Sequence, residues 1–109
     1  MDTLSSPELN IVLHQPVRTR IVAYLAARGA STFNELKQAL DITDGNLDSH
    51  MKKLISVEYI ETKKQAATKG KQQTLYSLTE TGRQEFEQYV ETLKHLLSPQ
   101  FIQSMRTDN

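Results

Sequence analysis

The chain has 109 residues, of which 38% are hydrophobic and 24% are charged, and its formal net charge is zero. This length fits a single domain, residues 1–109, and leaves no room for a second independent core. No apolar run approaches the roughly 18 residues that a membrane span needs, and the absence of cysteine excludes disulfides, thiolate nucleophiles and cysteine metal sites. The first residues lack the basic start and apolar stretch of a signal peptide, so we expect a cytoplasmic protein without a membrane partner.

The first two predicted elements are a short amino-terminal helix, residues 8–15, and a longer core helix, residues 17–28. The short helix is predicted from a concentration of apolar residues that ends at Pro16. The longer helix has apolar residues at helical spacing and is followed by Gly29, a common helix stop. We expect its three arginines to be solvated, although one of them could reach a phosphate: Arg18, Arg20 and Arg28.

Two short helices separated by a three-residue turn are predicted over residues 32–56. Thr32 is followed by Glu35 three residues later, which is the capping-box arrangement of a helix start. The buried stripe of this first helix is expected to consist of Phe33, Leu36 and Leu40. Residues 41–43 form the turn, and the second helix, residues 44–56, begins at once. The spacing is that of a helix-turn-helix.

The second of these helices has two faces. Apolar residues at helical spacing are expected to face the core: Leu47, Met51, Leu54 and Ile55. Side chains that can donate hydrogen bonds repeat along another face: Asn46, Ser49, His50 and Lys53. Thr43 or Asp44 caps the helix, and Gly45 adds no bulk where the helix tip could approach a partner closely. Taken alone, such a segment is better explained as an ordinary amphipathic helix whose polar face is only solvated, and it is the neighbouring elements that favour a binding surface.

A β-hairpin with a basic tip is the next predicted element. Residues 60–64 and 74–78 have strand character, and residues 65–73 are a polar loop. One glutamate and four lysines give residues 61–74 a local charge of +3, whereas residues 75–109 carry −2. The lysines are Lys63, Lys64, Lys69 and Lys71. They could serve only to keep an exposed edge soluble, but after a helix-turn-helix the hairpin is interpreted as a wing that follows a sugar-phosphate backbone.

The last clear helix, residues 79–97, begins at Thr79 as its cap and carries a long apolar seam. This seam is broader than one small core can cover, and leaving several leucine-sized groups in water is costly. We therefore predict a homodimer whose interface consists of Leu9, Val12, Leu13, Phe86, Tyr89, Val90, Leu93, Leu96 and Leu97. The alternative is that the last helix folds back on its own domain.

The sequence resembles the winged-helix transcription regulators of the MarR and ArsR type. Residues 44–47, DGNL, together with Ser49, His50 and Leu54, are similar to their recognition helix. Further matching residues are His14, Pro16, Arg18 and Ile21, then Phe33, Leu36 and Leu40, and at the wing exit Thr74, Tyr76, Leu78, Thr79, Gly82 and Arg83. The resemblance covers residues 14–97. It implies a dimeric bacterial or archaeal protein that recognises an inverted repeat in DNA while its wing contacts the flanking backbone.

Two residues depart from the pattern of these regulators. Gln15 stands between His14 and Pro16, so no special role is carried over to that histidine. The recognition helix also contains the acidic Asp48, which we expect to pair with Lys52 four residues later rather than to contact DNA.

The sequence thus predicts an α+β, mainly α fold: a winged helix-turn-helix core, residues 16–78, with a two- to three-stranded wing and flanking amino- and carboxy-terminal dimerisation helices. We expect a homodimeric, sequence-specific repressor that binds an inverted-repeat operator in double-stranded DNA. The recognition helix would lie in the major groove and the 65–73 loop on the backbone. The predicted DNA-binding residues are Thr43, Asn46, Ser49, His50, Lys53, Lys63, Lys64, Lys69 and Lys71.

Other functions are less well supported by the sequence. The alternative is a winged helix that serves only as a protein-interaction module, with the wing lysines meeting an acidic partner. No catalytic constellation stands out, so we expect neither an enzyme nor a cofactor. A metal site would need histidines and carboxylates, and we predict none. A pocket for a small effector could lie between the last helix and the core, but no residue identifies a ligand.

Overall fold

The computed structural model describes residues 8–66 and 70–106. It consists of five helices and three strands in the order α1 Pro16–Arg28, β1 Ser31–Thr32, α2 Phe33–Leu40, α3 Asp44–Ser56, β2 Ile60–Ala66, β3 Gln72–Leu78, α4 Glu80–Leu96 and α5 Pro99–Arg106. The strands form one antiparallel sheet in the order β1-β3-β2. The predicted winged helix with a mainly helical α+β fold is confirmed, and the wing has three strands because β1 pairs with β3.

The helices begin where short polar side chains can satisfy their free amides. The capping box predicted at Thr32 is present, since its hydroxyl oxygen accepts from the Glu35 amide and the Glu35 carboxylate accepts from the Thr32 amide. Thr43, rather than Asp44, caps α3 by accepting from the Asn46 amide at 3.1 Å. Thr79 caps α4. These local contacts explain why the helix starts were predictable.

The amino-terminal helix predicted for residues 8–15 is wrong, because this segment forms a turn. The Asn10 side-chain oxygen accepts from the amides of Val12 at 2.9 Å and Leu13 at 3.1 Å. Asparagine side chains that bind nearby amides in this way compete with helix formation. Pro16 then starts α1 directly. Residues 8–15 therefore do not form the predicted amino-terminal dimerisation helix.

The core lies among the first three helices, the base of the wing and α4. Its buried apolar residues are Leu13, Ile21, Val22, Leu25, Leu36, Leu40, Leu47, Met51, Leu54, Ile60 and Tyr89. Leu13 comes from the amino-terminal turn and Tyr89 from α4, so both ends of the domain close over the three-helix unit. None of the helices within residues 8–66 and 70–106 is long and apolar enough to cross a membrane.

Gly82, in the first turn of α4, fixes how closely this helix approaches the turn between α3 and β2. A Cβ at this position would overlap the Tyr59 carbonyl oxygen and lie 2.9 Å from the carbonyl carbon. The neighbouring Thr79 amide donates to the same oxygen at 3.0 Å, and the Thr79 hydroxyl donates to Glu58 O at 2.6 Å. Because α4 packs backbone against backbone here, it has a defined position relative to α3 and the wing.

Candidate nucleic-acid interface

Helix α3 is anchored by one buried face, as predicted. Leu47, Met51 and Leu54 are buried in the core. Ile55 was expected on the same stripe, but 37% of it is exposed, so that prediction is wrong. It lies at the edge of the helix face that contacts the core, because its position is about 80° around the axis from Leu47 at 3.6 residues per turn. The orientation of α3 is therefore set by three side chains one turn apart.

The predicted polar stripe lies on the surface of α3. Asn46, Ser49 and Lys53 are exposed, and His50 is half-buried. Thr43 is also exposed, but its hydroxyl oxygen is occupied by the Asn46 amide, so its primary role is that of the cap. The four stripe side chains can all donate hydrogen bonds, which is what recognition of acceptor atoms on base edges and phosphates requires. Their contact with DNA stays a prediction.

The acidic residues of α3 are paired with lysines. Asp48 forms an ion pair with Lys52 at 3.0 Å, which confirms the expected pairing. Asp44, at the start of the helix, is 2.8 Å from Lys37 of α2. Both pairs are exposed and so contribute little to stability, but they reduce the negative charge that α3 presents on its surface.

The structure corrects the expectation that the arginines of α1 are merely solvated. The Arg18 guanidinium donates through Nε to Val12 O at 2.6 Å, and its Nη1 lies 3.2 Å from Nδ1 of His50. Arg20 donates to Leu40 O at 2.8 Å. Arg28 lies over the ring of Tyr24. The sequence analysis did not predict the contact between Arg18 and His50. Both residues match the pattern of the winged-helix regulators, and this shared match was the one indication of a joint role.

The pKa of His50 is lowered from its ordinary value. Burial is the larger cause, because it disfavours the charged imidazolium, and the positive charge of Arg18 adds to the effect. The lowered pKa favours the neutral ring of His50 at pH 7, in which it contributes a hydrogen-bonding group rather than a positive charge to the surface of α3.

The wing presents its lysines to solvent. Strands β2 and β3 are longer than predicted and pair from Ile60 opposite Leu78 to Ala66 opposite Gln72. Every residue of β2 after Ile60 is exposed, including Lys63 and Lys64. Lys64 Nζ donates to Thr74 Oγ1 at 2.9 Å. Lys71 is also exposed, and Lys69 lies outside the described residues. The hairpin therefore carries cations on a surface that has little other packing.

The apolar seam of α4 is shared between the core and the surface. Tyr89 and Leu13 are buried in the chain's own core, so the prediction that these two side chains form a dimer interface is wrong. Leu9, Val12, Phe86 and Leu93 pack partly against that core, and Val90 and Leu96 are half-buried.

In contrast, 70% of Leu97 is exposed. In α5 beyond it, Ile102 is 39% and Met105 51% exposed. Apart from Ile11 in the amino-terminal turn, which is 83% exposed, and Ile55, the exposed large apolar side chains of the described residues therefore lie further toward the carboxy terminus than predicted.

A cavity lies where a pocket between the last helix and the core was expected. It has a volume of about 390 Å³ and is lined by His14, Gln15, Pro16, Thr19, Arg20 and Tyr89. The His14 ring and the Tyr89 hydroxyl are joined at 2.9 Å across its wall. Within the described part of the chain, no group of three or more histidine and carboxylate side chains is placed to hold a metal ion.

Comparison with known proteins agrees with this geometry. The profile of the winged helix DNA-binding domain family matches residues 17–97, and the chain belongs to this family. It is 39% identical over 79 residues to an uncharacterized protein of Methanocaldococcus jannaschii, and the match covers 72% of this chain and 85% of the relative. The resemblance to winged-helix regulators drawn from the sequence is thereby confirmed.

Solved structures of regulators share the fold. A transcriptional regulator homologue from Pyrococcus horikoshii superimposes with a TM-score of 0.74 at 31% identity, over 81% of this chain and 86% of that one. Bacillus subtilis PadR in complex with operator DNA is similar in fold, with a TM-score of 0.62 at 15% identity, over 70% of this chain and 47% of that one.

Proposed function

We propose that this protein is a homodimeric transcription regulator that binds an inverted repeat in double-stranded DNA. In this proposal α3 lies in the major groove, and the hairpin of β2 and β3 contacts the backbone beside it. The observation that carries the proposal is the outward stripe of α3, on which four hydrogen-bond donors follow one another on a helix that the core holds in place. Membership of the winged helix DNA-binding domain family supports it.

The different roles proposed for α3 and for the hairpin follow from their side chains. Asn46 is short and exposed, and an asparagine amide can form two hydrogen bonds with an adenine edge. The wing lysines are long, flexible point charges that suit phosphates, which carry no sequence information. Because the net charge of the chain is zero, we expect affinity to depend on these local lysines rather than on a long-range field.

The homodimer is supported by the apolar surface at the carboxy-terminal end. Leu97 at the end of α4 and Ile102 and Met105 in α5 are exposed. The chain measures 66 × 27 × 21 Å, and its radius of gyration of 17.4 Å exceeds the ~13 Å of a compact domain of this length. Pairing of two elongated chains through α4 and α5 would remove these side chains from water and would match a two-fold symmetric operator.

Repression is the direction of regulation that we propose. A dimer that covers both half-sites of an operator blocks access of other proteins to the same DNA, and this needs no further surface on the regulator. The transcriptional regulator homologue of Pyrococcus horikoshii and the operator complex of Bacillus subtilis PadR are consistent with a role in transcription.

The test of DNA recognition compares one residue on the stripe with one beside it. A binding site is first selected from random duplexes, and affinities are then measured by fluorescence anisotropy. Asn46→Ala should weaken the selected site by about 1–3 kcal/mol and leave random DNA nearly unchanged. Lys52→Ala is the matched control, because Lys52 is exposed on the same helix but is paired with Asp48 away from the stripe. If the protein binds no duplex with a salt-dependent affinity, the interaction-module alternative replaces this proposal.

The test of the dimer uses light scattering at micromolar concentration. The native chain should have a dimeric mass, and Leu97→Glu should shift it to a monomer, because a carboxylate would be buried without a partner. Ile55→Glu is the control, since it also places a charge at an exposed apolar position, but on α3 rather than on the two helices of the proposed interface. A monomeric mass for the native chain would refute the dimer.

A further inference from the structure

We propose that Arg18 is a positioning residue for DNA recognition, which holds the His50 ring so that it offers one hydrogen-bond donor, Nε2–H, to the DNA. The inference rests on the proposed function and goes beyond it, because it assigns a role to a residue of α1 and a fixed hydrogen-bonding character to His50.

The hydrogen-bonding chemistry of the two groups defines the tautomer. Nη1 of Arg18 lies 3.2 Å from Nδ1 of His50. A guanidinium has five N–H donors and no acceptor, so Nδ1 must accept in this contact. In the neutral ring the single proton then resides on Nε2. Burial and the arginine charge favour this neutral ring, because both lower the pKa of His50.

The Arg18 side chain is itself held in place. Its Nε donates to Val12 O at 2.6 Å, and its backbone amide donates to the Gln15 side chain at 2.8 Å. Val12 in turn belongs to the turn that Asn10 stabilises. The guanidinium therefore reaches α3 from a fixed base, and rotation of the His50 ring would break the contact and leave a half-buried donor without its partner.

Occupation of Nδ1 by Arg18 restricts the groups on DNA that His50 can bind. A freely rotating neutral histidine can present either a donor or an acceptor, so it tolerates both acceptors and donors on the DNA. With Nδ1 occupied, His50 offers a donor alone, and only acceptors fit: purine N7, guanine O6, thymine O4 or a phosphate oxygen. A cytosine amino group at that place would face a second donor. His50 would thus discriminate among base pairs without a charged contact that releases counterions from the phosphates.

The first experiment measures the ring directly in the free protein. Nitrogen-15 shifts of His50 at pH 7.5 should show a proton on Nε2 and none on Nδ1. Arg18→Met retains the apolar stem but removes the donors, and it should give a mixture of tautomers. Arg20→Met is the matched control, because Arg20 lies on the same helix but binds Leu40 O, and it should leave the ring unchanged. Arg18→Lys keeps a donor and should restore the Nε2–H form at least partly.

The second experiment measures recognition. Binding sites are selected from random duplexes with the native chain, His50→Ala and Arg18→Met, after thermal melting has shown that each variant is folded. Both variants should lose preference at the same base pair, by about ten-fold, and keep it elsewhere. If both instead weaken selected and random duplexes equally, the donor meets a phosphate oxygen and the selectivity assigned to His50 is refuted.

The outcomes separate this inference from the proposed function. A proton on Nδ1 in the native protein, or an Arg18→Met variant with an unchanged ring and unchanged selectivity, would overturn the role of Arg18. If Arg18→Met does not fold, the ring shifts of the native protein still decide the tautomer, and a proton on Nδ1 there overturns the inference. A native chain that binds no DNA at all would refute the proposed function, whereas the tautomer measurement would still decide the geometry of the pair.

Discussion

The recognition helix and the wing differ in how firmly the rest of the domain holds them. Helix α3 buries three side chains, is capped by Thr43, and is joined to α1 through the contact of His50 with Arg18. The described outer part of the wing is held by its own strand pairing and by the hydrogen bond from Lys64 to Thr74, and every residue of β2 after Ile60 is exposed. A short side chain can distinguish bases only if its backbone is fixed within a few tenths of an ångström. The rigid element is thus suited to sequence recognition and the exposed one to phosphate contacts.

The largest effect should come from the junction that relates these two regions. Gly82→Ala should destabilise the fold by about 3 kcal/mol, the upper end for overpacking, because the new methyl group meets the Tyr59 backbone, which cannot move aside easily. Urea denaturation followed by circular dichroism measures this. Thr81→Ala, at the preceding exposed position of α4, is the control and should change the free energy of unfolding by less than about 0.5 kcal/mol. Equal stability of both variants would contradict the close packing.

Removal of charges from the wing should weaken DNA binding whatever the sequence, unlike substitutions in the recognition helix. Lys63→Ala combined with Lys71→Ala should weaken selected and random duplexes alike, and the salt dependence of binding should fall by about 0.9 for each phosphate that the variant no longer neutralises. Titrations at several salt concentrations give this slope. The double variant of Lys52 and Lys94, two exposed lysines outside the hairpin, should leave the slope unchanged. An undiminished slope in the wing variant would remove the hairpin from the interface.

Gly45 tests how closely the tip of α3 approaches DNA. A Cβ at this position meets nothing within 4 Å, so the fold itself does not require a glycine there. Gly45→Ala should therefore raise stability by at most about 1 kcal/mol, as expected for a helical site, but weaken binding of the selected duplex. Denaturation and anisotropy measured on one preparation separate the two effects. Tighter or equal binding would show that the tip does not closely approach DNA.

The smallest expected effect is the pH dependence that His50 contributes. Its pKa is lowered in the fold by burial and by Arg18, so the unfolded chain binds more protons between the folded pKa and about 6.5. Stability from this residue is complete above that range and is lost as pH falls through the folded pKa. Proton NMR titration of His50 should give a midpoint below the ordinary value, and Arg18→Met should raise it. His50→Gln should flatten this part of the stability profile.

Much of the fold could be predicted because its signals are local. Helical spacing and caps at Thr32, Thr43 and Thr79 act within three or four residues, so α1 to α4 were predicted to within a few residues. The hairpin followed from strand character on either side of a polar loop, although its strands extend further than predicted. The pairing of Asp48 with Lys52 is likewise a contact within one turn of helix.

Only the tertiary structure decided contacts between residues distant in the chain. Arg18 and His50 are 32 positions apart, and His14 and Tyr89 are 75 apart. The two-residue strand β1 exists only because β3 returns beside it. Leu13 and Leu97 are both apolar and were both predicted in the dimer interface. The turn formed by Asn10 buries Leu13 in the core, whereas Leu97 at the end of α4 is exposed. Sequence alone therefore determined which faces are apolar, and the packing of distant elements decided which of those faces are covered.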